Sequence, residues 1–202
     1  MRTSYIGGSD AASVIGVSPY RSNVELWEQK TGRRKAEDIS AKSFVQYGIH
    51  AEDHLRELFK LDFPQYEVGY EENNIWINDK FPFGHCSLDG WLTEKDTGRK
   101  GILEIKTTTM LSAAQRAQWD GQVPPQYFAQ VVHYLLITEW DFAIIKSQQK
   151  HEYDGDVMLV TKHYTIEREE VEDDIAYLEE AERKFCEYLK ADKQPPLILP
   201  SI

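Results

Sequence analysis

Residues 101–109, GILEIKTTT, constrain the fold more tightly than any other stretch of the chain. Ile102, Leu103 and Ile105 want to leave water, so the segment reads as a buried strand. Side chains alternate along a strand, which puts Glu104 and Lys106 side by side on one face. Two opposite charges on a core strand cost free energy unless something uses them. The segment is therefore both a centre of the fold and a place to look for chemistry.

The surrounding pattern is mixed. A short helix is expected from Ser9 to about Ile15, with Ser9 or Asp10 as its cap. A turn at SPY, 18–20, leads to a second helix over 22–31 that stops at Gly32. A longer helix runs over 43–62, where Phe44, Ala51, Leu55, Leu58 and Phe59 recur at helical spacing and Pro64 follows. Strands follow at about 67–78, 84–93 and 101–107, the last two joined by the hairpin loop TEKDTGRKG. Pro124 and Pro125 open a helix that reaches about Thr138. Two further strands, 141–148 and 157–167, flank the polar loop KHEYDGD. An amphipathic helix over 168–190 carries the stripe Val171, Ile175, Leu178, Phe185 and Leu189. The apolar tail PPLILPSI is expected to pack on its own domain or on a neighbouring subunit. The fold class is α/β, a central mixed sheet flanked by helices, in one domain spanning 1–202.

At 202 residues, 41% apolar and 28% charged, the composition is that of a globular protein. No run approaches the roughly 18 apolar residues of a membrane span. The start, MRTSYIGGSDAAS, lacks the apolar core of a signal peptide. Cys86 and Cys186 form no CxxC pair. A reducing cytoplasm is expected. The net charge of −11 weighs against nucleic acid as a partner, but it is unevenly placed: residues 166–193 hold eleven acids against five bases. A local basic path to a cleft remains compatible with that distribution.

The hairpin answers the question set by Glu104 and Lys106. It returns them beside Asp89, in GHCSLDGW, so two carboxylates and an ammonium meet at one sheet edge. Hard cations such as Mg²⁺ take oxygen ligands at about 2.0–2.1 Å. Asp89 and Glu104 would supply two, and the carbonyl of Ile105 a third. Lys106 would orient or deprotonate a metal-bound water, since a lysine beside a metal can have a lowered pKa. Gly48 and Glu52 share a helix face four residues apart. A glycine there suits close approach beside Glu52, which would join the metal or hold a second ion. Tyr127, Gln130 and Tyr134 lie on the helix after the hairpin. Gln130 would orient a phosphate or the attacking water, and the tyrosines would pack on the lysine stem or on a nucleotide.

The order GxxxE, D, ExK, QxxxY resembles the RecB-type branch of the PD-(D/E)xK nucleases. IGGSDAASVIGVSPYRS resembles the opening of the YqaJ-like viral recombinase group. CSLDG and QYFAQVVHYLLIT resemble the corresponding segments of the phage lambda exonuclease family. The likeness covers nearly the whole chain, from about Arg2 through the final helix. It implies a restriction-endonuclease-like core and a Mg²⁺-dependent exonuclease, with Mn²⁺ as substitute. Such an enzyme digests one strand of duplex DNA from the 5′ end for recombination. An endonuclease, a single-strand exonuclease and a noncatalytic DNA-binding module on the same fold are the alternatives.

By the same resemblance, Asp89, Glu104 and Lys106 form the catalytic core, with Glu52 at the metal and Gln130 in the active site. Arg2, Ser9 and Ser87 fall where the family holds terminal or scissile phosphates, with Arg21 a rival to Arg2. Leu88 stands where the motif's proline is usual. The implied partners are linear duplex ends, a single-strand annealing protein and further copies of the chain in a trimeric ring. The implied setting is a bacterial host's cytoplasm, with no membrane association.

Other residues read more plainly. His50 and His54 have a metal-ligand spacing on a helix, but imidazole suits transition metals and this site is oxygen-rich. The tryptophans are core or rim by default. Trp119, in the polar stretch SAAQRAQWDGQVPPQ, is the one placed to stack on a base or wedge a duplex end.

Overall fold

A computed structural model describes residues 5–199, the side chain of Tyr153 excepted. The elements run β1 (Ile6–Gly7), α1 (Gly8–Val14), α2 (Asn23–Lys30), α3 (Ser43–Asp62), β2 (Tyr66–Gly69), β3 (Gly84–His85), β4 (Gly90–Glu94) and β5 (Lys100–Thr109). They continue with α4 (Ala113–Gln118), α5 (Pro125–Thr138), β6 (Phe142–Tyr153), β7 (Asp156–Glu167) and α6 (Glu172–Lys190). Five strands form one sheet in the order β2-β4-β5-β6-β7, with β5 and β6 parallel and the other neighbours antiparallel. β1 and β3 form a small parallel pair of their own.

β5 is the middle strand, and its alternation sorts the core. Leu103 and Ile105 pack with Phe142, Ile144 and Leu92 under Leu55 and Phe59 of α3. Ile102, with Ala143 and Ile145, faces the opposite core built by α1, α5 and α6. Each face thus buries a separate apolar layer, the arrangement expected of an α/β sheet. Gly8 lets α1 lie close to α5, since a Cβ there would sit 2.2 Å from Tyr134 Cε1.

Several local expectations are corrected. The strand expected at 84–93 is two pieces: Gly84–His85 pairs with β1, and β4 begins only at Gly90. The break falls at Cys86–Asp89, where Cys86 bridges Trp76. The strand expected at 67–78 stops at Gly69. α1 begins at Gly8 with Gly7 at its N-cap, and Asp10, at the third helical position, caps that start by accepting the Gly7 N–H at 3.0 Å. The polar loop KHEYDGD is mostly strand; only Asp154 and Gly155, at φ 48° and 92°, make the turn, as an Asp-Gly hairpin does. Phe44 (63% exposed) and Leu58 lie in solvent, so the buried stripe of α3 is Leu55 and Phe59. One turn of 3-10 helix, Arg168–Glu170, precedes α6. The tail packs on its own domain: the Asn23 amide donates to the Pro196 carbonyl (2.8 Å) and accepts the Ile198 N–H (3.0 Å).

Candidate active site

The site forms where β4 stops. Gly90 pairs with Leu103, so beyond that point the β4 side of β5 has no strand neighbour. The Ile105 N–H, on that side, is taken by Asp89 Oδ2 at 2.8 Å. In a strand a residue's N–H and C=O point the same way. The Ile105 carbonyl therefore opens onto the same edge, beside the Asp89 carboxylate.

Asp89 is held from behind. Asn74 accepts the Leu88 N–H and donates to the Leu88 carbonyl, both at 2.9 Å, which fixes the backbone one residue ahead. Arg56 Nε donates to the Asp89 carbonyl at 2.5 Å. The same guanidinium holds Glu52 and Asp53 at 2.6 Å each and lies over the Tyr70 ring, 3.5 Å from its centroid. Arg56 is only 4% exposed. It carries Glu52 of α3 to the Asp89 edge from one side of the sheet. Neither Arg56 nor Asn74 was foreseen. The signal for Arg56 was a base four residues after Glu52 on one helix face; Asn74 lies in an irregular segment that left no signal.

The opposite face supplies the rest. Lys106 Nζ is 2.5 Å from Glu104 Oε1. Gln130 Nε2 donates to that same oxygen at 2.7 Å and lies 2.7 Å from the Tyr134 hydroxyl. Glu104 Oε2 is buried and has no hydrogen-bond partner among the described residues. The Tyr127 ring lies 5.0 Å from Lys106 Nζ.

The electrostatics follow from this crowding. Burial, then the charge of Asp89, raises Glu104 to about 8. Burial and Asp89 likewise raise Glu52 to about 7, against the pull of Arg56. Burial also raises Asp89, whose carboxylate lies beside that of Glu104. Two buried carboxylates sit side by side only with a proton or a cation between them. Burial alone would lower Lys106, but Glu104 and Asp89 outweigh it and raise it. With no cation beside it, the two acidic neighbours hold Lys106 as an ammonium.

The donor set suits a hard cation. Asp89, Glu104 and the Ile105 carbonyl offer oxygen, and an unpartnered carboxylate oxygen lies among them. Among the described residues no three His, Cys, Asp or Glu side chains already make a cage, and Glu52 is turned to Arg56.

The remaining expected residues divide. Ser9 and Ser87 are exposed, while Arg2 lies outside the described residues. Arg21 is occupied: it pairs with Asp10 at 2.5 Å and bonds Ser13 at 3.1 Å and Gln29 at 2.8 Å. Tyr134 is buried and steadies Gln130. Trp119 is 3% exposed, packed on Tyr127 and Tyr164, each 5.6 Å away between ring centroids. The polar stretch around it folds as α4 and turns this one ring into the core, leaving it no open face for a base. Gly48 is approached by the β5 side chain of Thr107, whose hydroxyl would lie 3.3 Å from an added Cβ. The glycine thus serves helix–sheet packing.

Comparison with known proteins agrees with this fold. Residues 1–141 match the model of the YqaJ-like viral recombinase domain. The uncharacterized protein YqaJ of Bacillus subtilis (strain 168) is 30% identical over 131 residues, 64% of this chain. The chain spans 38% of the length of that relative. The crystal structure of the alkaline exonuclease LHK-Exo from Laribacter hongkongensis superposes with a TM-score of 0.67 at 19% identity, covering 95% of this chain and 90% of that one. A phage related exonuclease from Haemophilus somnus 129PT superposes at 0.59 and 15% identity, covering 93% and 96%. The mixed five-stranded sheet and its flanking helices are thus a fold shared with these two exonucleases. The chain belongs to the family of YqaJ-like viral recombinase domains.

Proposed function

We propose that the chain is a metal-dependent deoxyribonuclease. It digests one strand of linear duplex DNA from the 5′ end and releases 5′-mononucleotides, as a step of phage-type recombination. Family membership and a fold shared with an alkaline exonuclease support this reading. The observation that carries it is the unpartnered buried oxygen of Glu104 within a cluster of carboxylates.

Asp89, Glu104 and the Ile105 carbonyl would hold Mg²⁺ or Mn²⁺, joined by Glu52 once its carboxylate leaves Arg56. The bound ion would supply Lewis acidity, lowering the pKa of a coordinated water and offsetting charge on the phosphate. The chain's own residues do the positioning. Lys106 keeps its proton on Nζ and donates hydrogen bonds to the attacking water or a phosphate oxygen. Gln130 fixes Glu104 through one oxygen and leaves the other free. Arg56 fixes Asp89 through its carbonyl from the far side and holds Glu52 until the ion enters. The same reading brings linear duplex ends as substrate, and a single-strand annealing protein and a trimeric ring of this chain as partners, within a bacterial cytoplasm. No helix among the described residues is long and apolar enough to cross a membrane.

The test is digestion of linear duplex labelled at either end, beside a covalently closed circle, in Mg²⁺. The expected result is early release of the 5′ label, a retained 3′ label and an intact circle. Cutting of the circle would make the enzyme an endonuclease. Early loss of the 3′ label would reverse the polarity. Intact linear DNA would refute the nuclease reading.

A further inference from the structure

A second feature lies beside the site and is used by nothing above. Tyr20 is an aromatic ring 76% exposed to solvent, yet its place is fixed. It follows Pro19, and its N–H donates to Ser18 Oγ at 3.2 Å. Its neighbour Arg21 is tied down by Asp10, Ser13 and Gln29. The Tyr20 side chain lies near that of Tyr127, whose ring lies 5.0 Å from the Lys106 amine. The backbone here is anchored while the ring itself stands in solvent, near the aromatic neighbour of Lys106.

Tyr20 forms one wall of a groove of about 420 Å³ between the α1–α2 loop and the start of α5. Pro19 and Pro125 stiffen its rim, and Gln115, Gln118 and Gln126 bring amide groups to it. None of the described residues that line it is charged, in a chain that is 28% charged. A phosphate backbone would seek cations there and find none. A nucleobase is the reverse case: neutral, flat, with donors and acceptors along its edge. Aromatic faces stack on any base, and amides pair with base edges.

We propose that this groove seats an unpaired nucleobase next to the scissile phosphate, with Tyr20 as its stacking face and the glutamines at its edge. The inference rests on the nuclease reading and names the subsite that reading lacks. It assigns to the α1–α2 loop a part in holding substrate that does not involve the metal.

The probe is linear duplex carrying 2-aminopurine at the 5′-terminal or penultimate nucleotide, titrated with the full chain in Ca²⁺ to hold off cleavage. Stacking on Tyr20 quenches the fluorescence at one of these positions. Tyr20→Ala loses that quench and raises KM for digestion about tenfold, with kcat changed far less. Tyr20→Phe, which keeps the ring and loses the hydroxyl, retains the quench. Equal quenching and equal KM in wild type and Tyr20→Ala would overturn the proposal. So would a Tyr20→Phe defect as large as that of Tyr20→Ala, which would leave the hydroxyl as the whole role. Wild-type digestion in Mg²⁺ is scored separately. Intact DNA with wild type counts against the nuclease reading. Active wild type with an unaltered Tyr20→Ala counts against the groove alone.

Discussion

Gln130 Nε2 donates at 2.7 Å to the same Glu104 oxygen that Lys106 Nζ approaches to 2.5 Å. Both donors to this buried carboxylate fall on one oxygen, and among the described residues none reaches the other. A buried unpaired acceptor costs about 1–3 kcal/mol, and this one lies where Asp89 and the Ile105 backbone present further oxygens. α5 and β5 together hold the group so that its free side faces the Asp89 edge.

Metal affinity should rise with pH. Burial and the charge of Asp89 put Glu104 at about 8 and Glu52 at about 7 without metal. An entering cation must displace those protons. Affinity for Mn²⁺ is expected to climb between pH 6.5 and 8.5 and then level off. Calorimetry in two buffers of different ionisation enthalpy reads the released proton, and an affinity flat across that range would contradict the assignment. The same shift has a sign for stability. Between the ordinary carboxylate value and about 8, the metal-free folded state binds a proton that the unfolded chain does not, so stability falls as pH rises. Glu104→Gln should flatten that slope in thermal melts.

Arg56→Ala should damage both stability and activity. The guanidinium joins the Asp89 carbonyl, Glu52, Asp53 and the Tyr70 ring from a buried position. Its loss leaves a desolvated carboxylate and an open carbonyl, at a cost of about 3 kcal/mol. Urea unfolding measures the loss. Arg56→Lys, which cannot reproduce the fork, should recover only part of it. Full stability in Arg56→Ala would remove Arg56 from the account.

His133 and Glu182 predict a second pH effect, away from the site. His133 Nδ1 lies 2.7 Å from Glu182 Oε1 and Nε2 lies 3.0 Å from the His85 carbonyl, both side chains being fully buried. Two acceptors face the two ring nitrogens, which favours the imidazolium. Burial would lower the His133 pKa, but Glu182 outweighs it and raises it. A raised histidine contributes stability in full below the unfolded value of about 6.5, and loses it as pH rises through the folded value. Melting temperature should fall over that range in wild type and fall less in His133→Gln. Identical profiles would show that the pair is not charged.

Much of this is legible in the sequence. The alternation in GILEIKTTT placed Glu104 and Lys106 on one face, and the hairpin brought Asp89 to them, because strand period and turn chemistry are local properties. The 20-residue helix Ser43–Asp62 was readable from its apolar spacing and the following Pro64. What failed depended on distant contacts. The break before Gly90 is set by Asn74 gripping Leu88 across an irregular segment. Trp119 looked available because its neighbours in sequence are polar, whereas its neighbours in space are Tyr127 and Tyr164. Arg21 looked available for phosphate because its tether to Asp10 spans eleven residues.

The most direct measurement of the central claim is the rate at which linear duplex DNA is digested in Mg²⁺ by wild type, Glu104→Gln and Lys106→Ala, each confirmed folded by circular dichroism. The account predicts digestion by wild type that EDTA abolishes. It also predicts losses of about 10²-fold or more in both variants, as expected when a group at the reacting phosphate is removed. A Lys106→Ala protein that degrades DNA in Mg²⁺ at the wild-type rate would contradict it.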